Sequence, residues 1–226
     1  MFDPAYARLP QAVTDGVVSE ETIDQAVRRV LTAKFELGLF ENPFIGQDAA
    51  SGTLSAESSR DLAQAAAERS LVLLKNDDLL PLRGEELRSV AVIGQLADSK
   101  RDTLGPWVFD HDTAETVTVL HGIRSRLPSR VRVHYAPGAS ITERVSPSPF
   151  DRMDPTVEVT PDDYDDDAAI EESVKIVSAA DMAIVVVGER QNQIGEQAST
   201  STLDLPGRQL EQLQRVAQTR THGVLV

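Results

Sequence analysis

The chain has 226 residues, 41% of them apolar, enough to bury a core in one or two compact domains. Its 36 Asp and Glu against 22 Lys and Arg give a formal charge of −14, which repels a nucleic-acid backbone and an anionic membrane surface and leaves a neutral ligand such as a sugar compatible. The absence of cysteine excludes disulfides and thiolate metal sites, and no apolar run reaches the roughly 18 residues of a membrane span. The opening MFDPAYARLP lacks the basic-then-apolar order of a signal peptide, so export stays open and Met1 need not be a biological start.

A short helix is predicted over residues 4–14, ending at Asp15-Gly16, and a longer one over 19–37. In the longer helix Ile23, Ala26, Val27, Val30, Leu31, Ala33 and Leu37 recur at spacings of three and four and form one apolar stripe. Ser19 caps its first turn, Glu20, Glu21 and Asp24 favour its positive end, and Gly38 stops it. Residues 45–54, IGQDAASGTL, are small and polar without periodicity and read as a linker between domains at 1–44 and 55–226. Beyond it lie an alanine-rich helix starting at Ser55 and the apolar run LVLLKNDDLLPL.

From Ser89 the pattern becomes short β-rich runs separated by helical spacings. The runs are VAVIG (90–94), VRVHY (131–135), MAIVVVG (182–188) and GVLV (223–226), with helices expected over 115–127, 166–180 and 207–219. Runs this continuous belong to strands covered on both faces, and their alternation with helices predicts an α/β fold with a mostly parallel sheet. Residues 143–167, rich in Pro and Asp, read as a surface excursion. A strand at the last residue would leave an open sheet edge, so both ends of the chain read as cut.

Ligands of open parallel sheets collect beyond the carboxyl ends of the strands, where two segments carry the informative residues. The first, 94–112, holds Asp98, Arg101, Asp102, Trp107, Asp110 and His111, a mixture suited to sugar hydroxyls and a sugar face. The bland reading is a solvated loop with Trp107 anchoring a turn. The second, 188–206, has only Glu189 and Glu196 as carboxylates before Asp204. Glycoside hydrolysis needs one carboxylic acid to protonate the leaving oxygen and a second carboxylate to attack or to activate water. A loop glutamate at a pocket rim serves the first role when burial or a neighbouring charge favours its protonated form. Glu196 is the candidate for that role, against the alternative of a loop-tip glutamate in water, and Glu189, nearer the strand, is placed to hold loop backbone or a substrate hydroxyl.

Other chemistries lack support. GQLADSK is not a dinucleotide fingerprint, no glycine-rich phosphate loop precedes Lys75, and the four histidines and the PDDYDDD run lack metal-ligand spacing. No cofactor, metal, nucleic-acid or membrane partner is expected.

Several motifs in series resemble family 3 glycoside hydrolases. SEETIDQAVRRVLTAKFELGLFENPF is similar to the end of their N-terminal (α/β)8-type barrel domain, and ERSLVLLKNDDLLPL to the entry of their second, α/β sandwich domain. SVAVIGQLADSKRDTLGPWVF with TVTVLHGI resembles the first unit of that domain in the bacterial periplasmic β-glucosidase subgroup, and AIVVVGERQNQIGEQASTSTLDLPGRQ the loop that carries the acid/base glutamate. The resemblance implies residues 1–44 as barrel end and 55–226 as an incomplete sandwich domain. It also implies a retaining, exo-acting β-glycosidase with Glu196 as acid/base; Asp98, Arg101, Trp107 and Glu189 remain the candidate substrate contacts from their place past the strand ends. The nucleophile, an aspartate of the barrel, is expected upstream of residue 1, so the missing barrel is the implied partner, a small carbohydrate the substrate, and this piece alone inactive. Where the family has GEA and then an arginine, this chain has GEQAST with Thr200. The alternative is a non-catalytic carbohydrate-binding or scaffold domain. A nucleotide-dependent α/β enzyme fits the strands but lacks the phosphate loop.

Overall fold

The computed structural model describes residues 4–54, 56–108, 112–142, 160–196 and 198–226, so Asp110, His111 and most of the 143–167 excursion lie outside the described residues. The chain divides into two compact units, Met1–Leu74 and Lys75–Val226.

The first unit is helical. After a 3₁₀ turn at Pro4–Arg8 come α1 (Leu9–Thr14), α2 (Glu20–Glu36), α3 (Gln47–Leu54) and α4 (Glu57–Ser70). The predicted cap is present, with Ser19 Oγ accepting the Thr22 N–H at 3.2 Å while Glu20 and Glu21 fill the first turn of α2. No residue of α2 is buried, and Val27, Val30 and Leu31 of its apolar stripe stay exposed. Residues 47–54, expected to be irregular, form a helix instead, with Asp48 favouring its first turn. The run Leu71–Leu74 has no regular secondary structure and is exposed.

The second unit is built on four parallel strands, β1 (Ser89–Ile93), β2 (Arg132–Ala136), β3 (Met182–Val185) and β4 (Gly223–Leu225), in the order β2-β1-β3-β4. Helices α5 (Lys100–Leu104) and α6 (Val119–Arg126) follow β1, α7 (Asp166–Ser178) follows β2, and α8 (Gln209–Ala217) follows β3. Every residue of β1 is buried, as its continuous apolar run requires when both faces are covered. Val90 and Val92 pack with Leu120 of α6 on one face, while Ala91 and Ile93 pack with Val177 of α7 and Val216 of α8 on the other. Strand β2 lies at a sheet edge, and its exposed Arg132 and His134 alternate with half-buried Val133 and Tyr135. Ile93 is wholly buried, so Ile93→Ala is expected to destabilise this unit by about 2–5 kcal/mol through lost burial and a residual cavity, read from the urea midpoint.

Asp181, just before β3, ties the sheet's amino end together. It accepts the backbone N–H groups of Arg88 and Ser89 at 2.8 and 2.9 Å and the Ser89 hydroxyl at 3.3 Å. These two backbone hydrogen bonds, helped by the Ser89 hydroxyl and the Arg88 guanidinium, hold its carboxyl below the usual carboxylate range. A depressed folded pKa means that Asp181 contributes stability above its unfolded pKa, near 3.9, and that this contribution is lost as pH falls through the folded value. Asp181→Asn is therefore expected to lower the thermal midpoint at pH 7, with the gap to wild type narrowing below about pH 4 in a series of melts.

Candidate functional site

The strand order sets where a ligand can sit. After β1 the chain crosses by α6 on one face to β2, and after β3 it crosses by α8 on the other face to β4. The loops leaving these two adjacent strands therefore diverge at their carboxyl ends, which opens the crevice typical of such sheets. The strands themselves approach closely there: Gly94, at φ +122, lies so near Val186 that a Cβ on it would fall 2.0 Å from the Val186 carbonyl oxygen. Only glycine meets both conditions.

The segment after β1 is more ordered than the single loop expected. A 3₁₀ turn at Gln95–Ala97 leads into α5, capped by Ser99 Oγ accepting the Asp102 N–H at 3.0 Å. Asp98 is at the surface and accepts the Thr118 hydroxyl at 2.9 Å, while Thr118 in turn caps α6 through the His121 N–H. Arg101 is buried, 4% exposed, and donates to the Gly105 carbonyl at 2.8 Å and to Gln191 Oε1 at 3.3 Å. Trp107, in contrast, is 58% exposed.

The segment after β3 is stapled at both ends by Gln209, at the start of α8. Its side-chain amide accepts from Gly188 N–H at 3.0 Å and donates to the carbonyls of Gly188 and Pro206, both at 2.8 Å. Between those points the chain makes a 3₁₀ turn at Gln191–Gln193 and then a turn that brings the Ala198 N–H to the Gly195 carbonyl at 3.2 Å. Glu189 is exposed at the start of this loop and Glu196 is exposed at its tip. The two loops meet next to Glu196: a Cβ on Gly195, at φ +88, would lie 2.8 Å from Pro106 Cγ and 3.9 Å from Trp107 Cε2.

They are also joined below the surface. Arg190 donates to Asp102 Oδ2 at 3.2 Å, with both side chains under 10% exposed, and to Gln95 Oε1 at 2.6 Å. Asp102 Oδ1 accepts the Gln191 N–H at 2.8 Å. Beside this pair a cleft of about 260 Å³ is lined in part by Gln95, Asp98, Tyr135 and Arg190. Pro137, just after β2, and Thr160 and Pro161 complete its lining. In the turn after β2, Asp166 accepts from Ser140 N–H and hydroxyl, and the Tyr164 hydroxyl, its pKa raised chiefly by burial, donates to the Gly138 carbonyl at 2.6 Å.

The structure thus places Gly195, the residue before Glu196, against Pro106 and near Trp107, leaves Glu189 and Glu196 exposed, and engages Asp98 and Arg101 with the protein's own groups. Arg190, Gln191 and Gln209, which the sequence did not single out, build the loop's frame. Their bonds to Gly188, Gln95 and Asp102 span 21 to 95 residues, and no local spacing announces such pairs.

The sequence model of the glycosyl hydrolase family 3 C-terminal domain matches residues 71–226. The chain belongs to glycosyl hydrolase family 3. This family 3 chain is 32% identical over 234 residues to the periplasmic beta-glucosidase of Salmonella typhimurium, covering 100% of itself and 30% of that protein. It is 29% identical over 209 residues to a beta-xylosidase of Formosa agariphila, covering 90% of itself and 26% of that protein. Among solved structures, a beta-glucosidase involved in saponin metabolism from intestinal bacteria matches with TM-score 0.79 and 29% identity, over 100% of this chain and 32% of that one. The beta-glucosidase of Listeria innocua in complex with glucose matches with TM-score 0.76 and 27% identity, over 100% of this chain and 28% of that one. The family 3 chain thus spans about a third or less of the length of these relatives. Among the described residues, no helix is long and apolar enough to cross a membrane, and no group of three or more His, Asp or Glu side chains could hold a metal ion.

Proposed function

We propose that this chain is part of a retaining, exo-acting β-glycosidase that removes terminal β-linked glucose or a similar sugar, and that Glu196 is its acid/base. The observation that carries this reading is the exposed Glu196 carboxylate in a braced loop beyond the carboxyl end of buried β3, directly after Gly195, which lies near exposed Trp107. Family membership and the names of the relatives, beta-glucosidases and a beta-xylosidase, supply the reaction class.

The chemistry needs a second carboxylate about 5 to 5.5 Å from the first. An aspartate in a barrel domain that precedes this segment attacks the anomeric carbon, and the bond to the glycosidic oxygen breaks as Glu196 passes its proton to that oxygen. Glu196, now a carboxylate, takes a proton from water as the water attacks the same carbon, which frees the aspartate and restores the anomeric configuration. Residues 1–44 read as the end of that barrel, and the unburied apolar stripe of α2 supports this, because such a face calls for a partner surface. Trp107 offers an aromatic face to the sugar, Glu189 a hydroxyl acceptor, and Asp98 its remaining carboxylate oxygen. Arg101, internal and already bonded, acts on substrate through the loop it supports.

The test is activity of the longer polypeptide on a panel of nitrophenyl β-glycosides, with the anomer of the first product followed by proton NMR. Release of the β-sugar from a β-glucoside or β-xyloside is expected. An α-anomer product, or binding of sugar with no turnover of any β-glycoside, would falsify this reading and leave a carbohydrate-binding domain.

A further inference from the structure

We infer that Asp102 and Arg190 are positioning residues for Glu196, a buried ion pair through which helix α5 fixes the loop that carries the acid/base. The inference rests on the proposed role of Glu196 and concerns what holds that carboxylate in place. Both partners of the pair are nearly free of solvent, at 6% and 8% side-chain exposure. A buried pair like this adds little net stability over an apolar substitute, but removing one partner leaves the other charge stranded. Such a pair is better suited to specifying a geometry than to stabilising a fold.

The wiring is two-sided. Asp102 uses one carboxylate oxygen for the Arg190 guanidinium and the other for the Gln191 N–H, so it grips a side chain and the backbone of the same loop. Arg101, the preceding residue of α5, reaches back to Gln191 Oε1 and to the Gly105 carbonyl at the end of its own helix. Pro106 follows Gly105 and closes the circuit, since it lies against Gly195, the residue before Glu196. The loop thus touches α5 and its exit at two points, Arg190–Gln191 and Gly195, and the intervening turn is held by Gln193 Nε2 donating to the Thr142 carbonyl at 2.7 Å. A shift at Asp102 is transmitted to Glu196 with few free torsions to absorb it. A general acid works only within hydrogen-bond reach of the leaving oxygen, and a misplacement of about 1 Å can cost on the order of 10²-fold in rate.

The experiment compares Asp102→Ala, Asp102→Asn, Arg190→Met and Arg190→Lys with Glu196→Ala in the longer polypeptide, using kcat/KM for β-glucosides of graded leaving-group acidity. Dinitrophenol departs without a proton, whereas an alkyl alcohol needs one. Loss of the acid therefore slows the alkyl glucoside and spares the dinitrophenyl one. Asp102→Ala and Arg190→Met are expected to lower kcat/KM on the alkyl glucoside by about 10- to 100-fold with little change on the dinitrophenyl glucoside. Arg190→Lys, which keeps the charge but loses the planar fork, is expected to fall between wild type and Arg190→Met. If the alanine and methionine variants do not fold, the near-isosteric Asp102→Asn and Arg190→Lys carry the same comparison. A loss equal on both substrates, as a reduced folded fraction produces, or no loss at all, overturns the inference while a leaving-group dependence in Glu196→Ala leaves the acid/base reading intact. A flat leaving-group profile in Glu196→Ala itself sinks both.

Discussion

Replacing Glu196 by alanine in the longer polypeptide is expected to cut turnover of an alkyl β-glucoside by about 10²- to 10⁴-fold, the range for removal of a positioned general acid or base. The loss should depend on the substrate, because the proton from Glu196 matters only where the departing oxygen is a poor leaving group. The second half-reaction gives an independent signature. Without a base, water attacks the glycosyl-enzyme slowly, so kcat for the dinitrophenyl glucoside should fall even where kcat/KM does not. Azide needs no deprotonation and can enter the space vacated by the side chain, so added azide should restore turnover and yield the β-glycosyl azide. The measurement is steady-state kinetics with and without azide, with product identity by NMR. Unaltered turnover of the alkyl glucoside would show that the loop-tip carboxylate is not the acid. Glu196 is exposed and follows Gly195, which lies against Pro106, so the variant removes a solvent-facing side chain and leaves the buried frame of the loop in place.

The largest stability effect is expected at Gly94. Substitution by alanine places a Cβ 2.0 Å from the Val186 carbonyl oxygen, at a φ of +122 that L residues rarely adopt. Neither neighbour yields cheaply, because Val186 N–H donates to the Ile93 carbonyl at 2.8 Å and Gly94 N–H donates to the Ala136 carbonyl at 3.1 Å. Backbone strain of about 1–3 kcal/mol adds to an overpacking cost of similar size, for a total of about 4 kcal/mol or more. Against the stability of an ordinary domain, about 5–15 kcal/mol, this is a large fraction. Gly94→Ala is expected to lose a cooperative transition in urea, or to shift its midpoint at least as far below wild type as Ile93→Ala does. A midpoint within experimental error of wild type would mean that β1 and β3 do not approach as described. The same contact brings the two site loops together, so the glycine that permits the sheet also permits the crevice.

The α/β character was legible because β1 and β3 are short, continuous apolar runs, and such runs leave few options other than a sheet covered on both faces. The helices between them announced themselves by periodicity, and α2 in the first unit also by its cap Ser19, which accepts the N–H its position demands. Residues 47–54 went the other way. Small polar residues carry no periodicity, yet helix is open to them when a favourable first turn is present. Asp98, Arg101, Trp107 and Glu189 looked alike in sequence as polar or aromatic residues past a strand end. Arg101 turned out to be internal and Trp107 exposed, a difference that depends on which way α5 turns after Ser99.

By itself the sequence determined the strands, most helices, the family through its motifs in series, and a single candidate acid at Glu196, all of which depend on residues near one another along the chain. Only the tertiary structure decided what holds that glutamate's loop. The partners that do so, Asp102 with Arg190 and Gln209 with Gly188, meet because β1 and β3 are adjacent parallel strands whose carboxyl ends lie side by side and because α8 packs back on the same sheet. A contact between residues tens of positions apart follows from strand order and register, and local propensity carries no information about either.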